Sequence, residues 1–168
     1  MATQSRQAKL GTGLAVLGMA TLCTGLRGPA LTLFGLGFRL LERDWRARHP
    51  EFRGGVRERW ESALRFYRGT HENGVNRGLH VAGIPLIAVG AVGLLASGAV
   101  GTPRWSLSLG SFAVGWGLNL AGHAFFERRA PAFSDDPLSF VAGPVWDLQT
   151  ISARFRRRSA VPAAPEHA

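Results

Sequence analysis

Apolar residues fall in blocks along this chain, and two blocks dominate: an uncharged run from Leu79 to Val100 and another from Trp105 to Phe126. At about 1.5 Å of rise per helical residue, the first run, of about 22 residues, is long enough to cross the hydrocarbon core of a bilayer. Gly101-Thr102-Pro103-Arg104 supplies turn chemistry between the runs, and Glu127-Arg128-Arg129 closes the second. The pattern predicts a central transmembrane helical hairpin. Gly90, Gly93, Gly98, Gly110, Gly115 and Gly117 are read as the small residues that let two such helices approach.

The flanking pattern is weaker. Apolar stretches from Leu10 to Leu26 and from Ala30 to Leu41, parted by Arg27-Gly28-Pro29, are short of the roughly 20 residues a span needs. They read as a shallow hairpin, a pair of marginal spans or one kinked span. From Glu42 to Arg68 the chain is charged, with Trp60, Leu64 and Tyr67 on one helical face and Arg57, Arg59, Glu61 and Arg65 turned elsewhere. That amphipathic helix lies either at the membrane interface or against the rest of the protein. Beyond Pro131, a polar turn at Ser134-Asp135-Asp136-Pro137 leads into a short apolar stretch through Trp146, expected to return along the interface. The result is an all-α, multi-helix integral membrane protein with an N-terminal extension over 1–52, a membrane domain over 53–153 and a basic, disordered tail over 154–168.

Charge orients this scheme. The net charge of +9 arises from twenty basic residues, which flank the apolar blocks and thin out within them. That is the distribution of cytoplasmic loops beside membrane helices rather than of a nucleic-acid motif, so DNA binding is the weakest reading and no nucleic-acid partner is expected. The hairpin ends and the C-terminus are expected on the cytoplasmic side, with the Gly101 to Arg104 turn opposite. Cys23 is the only cysteine, which rules out a disulfide framework and a cysteine zinc site. No clean small-residue cleavage site follows Arg6 and Lys9, so the first apolar stretch is expected to be retained.

Any metal would then depend on histidine and carboxylate. His80 and His123 stand about equally far from the central turn and should meet at one membrane face, where ionisable groups are costly and usually functional. Asn76 precedes His80 by one helical turn and Glu127 follows His123 by one, so two pairs face each other. His71, nine residues before His80, would lie on the opposite side of a single straight helix. A break at Asn73-Gly74 would let it fold back over the same site, with Tyr67 one turn before it. Imidazole with carboxylate suits iron, zinc or manganese. Two bland readings stand beside this one: a hydrogen-bonded polar cluster without metal, and Asn76 as a helix cap.

Tyr67-xxx-His71-xxxx-Asn76-xxx-His80-xx-Gly83-x-Pro85 and Gly122-His123-xx-Phe126-Glu127-xxx-Pro131-Ala132, separated by an apolar hairpin, resemble the two signature motifs of the 2-hydroxy fatty acid dioxygenase family. The resemblance covers about residues 60 to 150. It implies an Fe2+-dependent alpha-oxidation of 2-hydroxy fatty acids, one carbon being lost as carbon dioxide, with His71, His80 and His123 as iron ligands. It also implies supporting roles for Glu127, as a further ligand or an acceptor for an imidazole N–H, and for Asn76 and Tyr67. Arg77, Arg128 and Arg129 could draw in a fatty-acid carboxylate, although orienting the hairpin already accounts for them. The first fifty or so residues depart from the family pattern. Two rivals remain: another metal-dependent membrane lipid enzyme, and a non-catalytic adaptor or lipid-binding protein. Nothing in the chain specifies an oligomeric state.

Overall fold

A computed structural model describes residues 5–128 and 130–159. Among them there is no strand; the six α-helices are α1 (Arg6–Cys23), α2 (Arg27–Arg48), α3 (Val56–Thr70), α4 (Gly74–Ala96), α5 (Pro103–Ala121) and α6 (Ser139–Ser159). A π turn, Gly122–Glu127, prolongs α5, and one 3-10 turn, Ala132–Ser134, precedes α6. The helices pack as pairs: α1 on α2, α4 on α5, and α3 on α6.

The α4–α5 pair is the expected central hairpin, and its ends follow from local chemistry. Asn73 caps α4, its side-chain oxygen accepting the N–H groups of Val75 and Asn76. The alternative role of Asn76 as the cap is thereby corrected. Thr102 caps α5 by accepting the N–H of Trp105, with Pro103 in the first turn where a missing N–H costs nothing. At Gly90 and Gly115 the two backbones come so close that an alanine would strike Phe112 or Ile87, and Gly93 packs on Ser108. Gly98, Gly110 and Gly117 face open space, so the packing role expected of them is corrected. By length and composition α4 is, among the described residues, the one helix apolar enough to cross a membrane. The expected second span, α5, falls short because Ser106, Ser108, Ser111 and Asn119 dilute its apolar side chains.

The N-terminal stretches form two helices packed as an antiparallel hairpin, which sets aside the single kinked span. Gly18 and Gly37 let α1 and α2 meet backbone to backbone, and Gly25 turns the chain between them at φ +82°. Arg27 is no breaker: it opens α2 and donates to the carbonyls of Leu95 (3.0 Å) and Ser97. A cation on the last carbonyls of α4 suits the negative end of the helix dipole. At the other end, Ser5 Oγ donates to Asp44.

The first part of the charged stretch, Glu42 to Arg48, forms the last turns of α2, and the rest leads into α3, the amphipathic helix. Arg59, expected to face outward, is buried on α3 beside Ala63 and Tyr67, while Trp60 and Leu64 are half-buried. The reason is that its guanidinium has matched partners. It donates to Glu42 (2.9 Å) and to both oxygens of Asp136 (2.9 and 2.6 Å), and it stacks over Trp45 at 3.6 Å. Residues 154–159, read as the start of a disordered tail, are the last turns of α6; 160–168 lie outside the described residues.

Candidate metal centre and its cavity

Three imidazoles reach one point from three segments. His71 is the residue on which α3 ends, His80 lies in the second turn of α4, and His123 sits on the π turn after α5. The break at Asn73-Gly74 is what frees His71 to turn back. All three are buried; ring centroids are 4.8 Å apart for His71–His80 and His80–His123, and 5.1 Å for His71–His123. Their ligand atoms lie within 4.8 Å of one another, close enough for the group to hold a metal ion.

Two of the rings are oriented in the same way. His71 Nδ1 is 3.0 Å from the carbonyl of Tyr67, and His80 Nδ1 is 2.9 Å from the carbonyl of Asn76, each four residues back. A carbonyl can only accept, so Nδ1 carries the proton and Nε2 keeps its lone pair for a ligand. Nε2 of His71 and Nδ1 of His123 are buried without any partner. Leaving such atoms unsatisfied costs about 1–3 kcal/mol each, a cost that a bound cation removes. The donor set of three neutral nitrogens with positions left open therefore fits a catalytic metal. Burial, and then the nearby His80, pushes His71 down to about 4, which keeps it neutral and ready to coordinate at ordinary pH.

Around the histidines stand the residues singled out from sequence. Glu127 does not accept from an imidazole. Its Oε1 accepts the N–H of Asn73 (3.0 Å) and the Nδ2 of Asn76 (3.2 Å), so it ties the end of α5 to the start of α4. Although its partial burial opposes ionisation, these two bonds hold its carboxyl below the usual range. Asn76 is fully buried, with its amide oxygen against Gly122. The Tyr67 ring stacks on His71 at 3.9 Å, and its hydroxyl donates to Asp147 Oδ2 at 3.2 Å. Burial pushes Asp147 up to about 6. Arg77 lies over the Trp146 ring at 4.4 Å, and Arg128 is exposed; Arg129 lies outside the described residues.

Sequence reasoning missed Asn119. It stands four residues before His123, as Asn76 stands four before His80, and the crossed packing repeats: its amide oxygen lies against Gly83. That oxygen is buried without a partner and borders the cavity described next. The repeated Asn-xxx-His spacing was the signal available. Asp147 was also missed, although an acid next to Trp146 in an apolar stretch marked it.

The histidines open onto an apolar cavity of about 330 Å³. Its walls run from His71, His80 and His123 along Ile84, Ala91 and Leu95 of α4, with Phe112 and Trp116 of α5. Phe133 and Phe140 close one side, Phe140 stacked on Trp116 and Phe133 edge-on to it. Met19, Leu22, Leu31 and Phe34 of the N-terminal hairpin complete the lining. Leu31 and Leu120 both line the cavity and are 58% and 48% exposed, so it opens through the flank of the bundle.

Fold and site together define the class: a small helical protein with a candidate three-histidine metal centre at the end of an apolar cavity. The chain belongs to the Mpo1-like family, described as 2-hydroxy-palmitic acid dioxygenase Mpo1-like, whose model matches residues 58–155. The match takes in every histidine of the centre and leaves out α1 and α2. No curated protein and no solved structure matches the chain.

Proposed function

We propose that the protein is an Fe2+-dependent dioxygenase that shortens 2-hydroxy fatty acids by one carbon, and that it works within a membrane. The observation that carries this reading is the continuity of three buried, metal-competent imidazoles with a long apolar cavity, in a chain of this family. The overall change balances without a further reductant: one 2-hydroxy acid and one O2 give the acid one carbon shorter, one carbon dioxide and one water. The C1–C2 bond breaks, the two carbons lose four electrons between them, and O2 takes up all four. Iron, when bound by His71, His80 and His123, would supply a Lewis-acidic template for the substrate oxygens and O2.

The chain's own residues do the rest. The Tyr67 and Asn76 carbonyls fix the tautomers of His71 and His80, and Glu127 with Asn76 locks the ends of α4 and α5 at the spacing the centre needs. The Asn119 carboxamide borders the cavity one helical turn before His123 and, like the Ser139 hydroxyl, is a polar group placed to bond a substrate hydroxyl or carboxyl. The apolar walls take the acyl chain and exclude water. A membrane setting is supported by the apolar side chains α4 and α5 turn outward, Val89, Val92, Leu107 and Val114 among them. Arg27 and Arg104 are the basic residues near the far turn, while arginine is dense around the histidine end; this favours a cytoplasmic site and C-terminus.

Anaerobic purification in detergent, metal analysis and O2-dependent turnover of 2-hydroxypalmitate test the proposal. Stoichiometric iron and a product one carbon shorter are expected, with both lost in His71→Ala, His80→Ala and His123→Ala. Iron without turnover of any 2-hydroxy acid would favour a different metal-dependent lipid enzyme. A protein that takes up no metal would leave the histidines as a structural polar cluster.

A further inference from the structure

We infer that the α1–α2 hairpin, which the family match leaves out, sets the length of acyl chain the cavity accepts, with Met19 and Leu22 forming its end wall. The inference rests on the 2-hydroxy fatty acid reading above. Along α4 the cavity is lined from His80 to Leu95, which at about 1.5 Å per residue is roughly 22 Å of depth. An extended chain of tetrahedral carbons advances about 1.2 Å per bond, as an extended backbone does over its three bonds per residue. A chain of roughly sixteen carbons therefore reaches from the histidines nearly to the level of Leu95.

The hairpin stands at that level. Arg27 is hydrogen-bonded to the carbonyls of Leu95 and Ser97, and Leu22 and Leu31 lie five residues before and four after it in sequence. Both side chains, with Met19, face the cavity. The wall is fixed at both ends: at the turn by Arg27, and at the open end of the hairpin by the bonds of Arg59 to Glu42 of α2 and Asp136 before α6. An end wall tied to the same helix that carries His80 makes a ruler of constant length. Specificity by such a wall is worth about tenfold or more per methylene that no longer fits.

The test uses the full-length, iron-loaded protein in detergent and a mixture of straight-chain 2-hydroxy acids of ten to twenty carbons, with products separated by chain length. Met19→Trp and Leu22→Trp should shift the preferred chain at least two carbons shorter and lower the ratio of long-chain to short-chain kcat/KM about tenfold or more. Met19→Ala combined with Leu22→Ala should move the preference the other way, and it carries the test if tryptophan unfolds the hairpin. Leu17→Trp, on the exposed side of α1 and outside the cavity, is the control and should leave the profile where it was. A profile unmoved in both directions, with iron and turnover retained, would overturn the inference and leave the dioxygenase reading standing. An iron-loaded wild type that oxidises none of these acids would overturn that reading and the inference with it.

Discussion

His71 and Asp147, on either side of Tyr67, pull the pH dependence of stability in opposite directions. His71 sits at about 4 when folded against 6.5 in a free chain, so the unfolded state binds more protons between those values. Its contribution is complete above 6.5 and is lost as the pH falls toward 4. Asp147, raised from 3.8 to about 6 chiefly by burial, with Tyr67 and Arg77 facing it, destabilises as the pH rises through that window. Metal-free Asp147→Asn should therefore lose stability more steeply than wild type on acidification from 6.5 to 4, read as the denaturant midpoint in detergent. Equal slopes would contradict a raised Asp147. The crossed Asn–Gly contacts give a second prediction. Alanine at Gly83 or Gly122 forces a methyl into the amide of Asn119 or Asn76 and should cost about 1–3 kcal/mol. Gly117→Ala, facing open space inside a helix, should gain about 0.5–1 kcal/mol. The histidines and their helical partners were legible because one-turn spacing and an Asn-Gly break are local signals. Asn119 was obscured because its amide sits in an otherwise apolar run.

Helix α4 and the hairpin it makes with α5 could be read from the chain, since unbroken apolar length, a capping asparagine and a threonine-proline start all agree. Elsewhere the local signals misled. Charge after Leu41 suggested an end to the helix, yet α2 continues because Glu42 and Asp44 find partners in Arg59, Arg48 and Ser5. Arg59 reads as a solvated arginine on any hydropathy scale; the arrival of Glu42 and of Asp136, 77 positions away, allows its burial. Removing one side of such a buried pair leaves uncompensated charge. Arg59→Ala should cost about 3–5 kcal/mol in unfolding free energy, whereas Arg57→Ala, in an exposed pair with Glu61, should change it by no more than about 0.5 kcal/mol. The π turn had no sequence signature of its own. It ends on Arg128 in the left-handed region at φ 53°, a conformation rare for a residue with a side chain.

Because the three imidazoles come from the end of α3, from α4 and from the turn after α5, a bound ion adds a direct link among segments otherwise joined by packing and by the bonds of Glu127 to Asn73 and Asn76. Metal at a hundred times its dissociation constant should add about 2.7 kcal/mol of stability. Chelation should lower the melting temperature, readdition should restore it, and His123→Ala should make it insensitive to both. The cavity's opening in the flank, between Leu31 and Leu120, has a kinetic consequence. On the membrane reading proposed above, a substrate entering there would come from the surrounding lipid or surfactant by two-dimensional diffusion rather than from bulk water. Its effective concentration is a mole fraction of the interface. At fixed protein and fixed substrate, inert detergent should slow turnover by surface dilution, although it inhibits nothing.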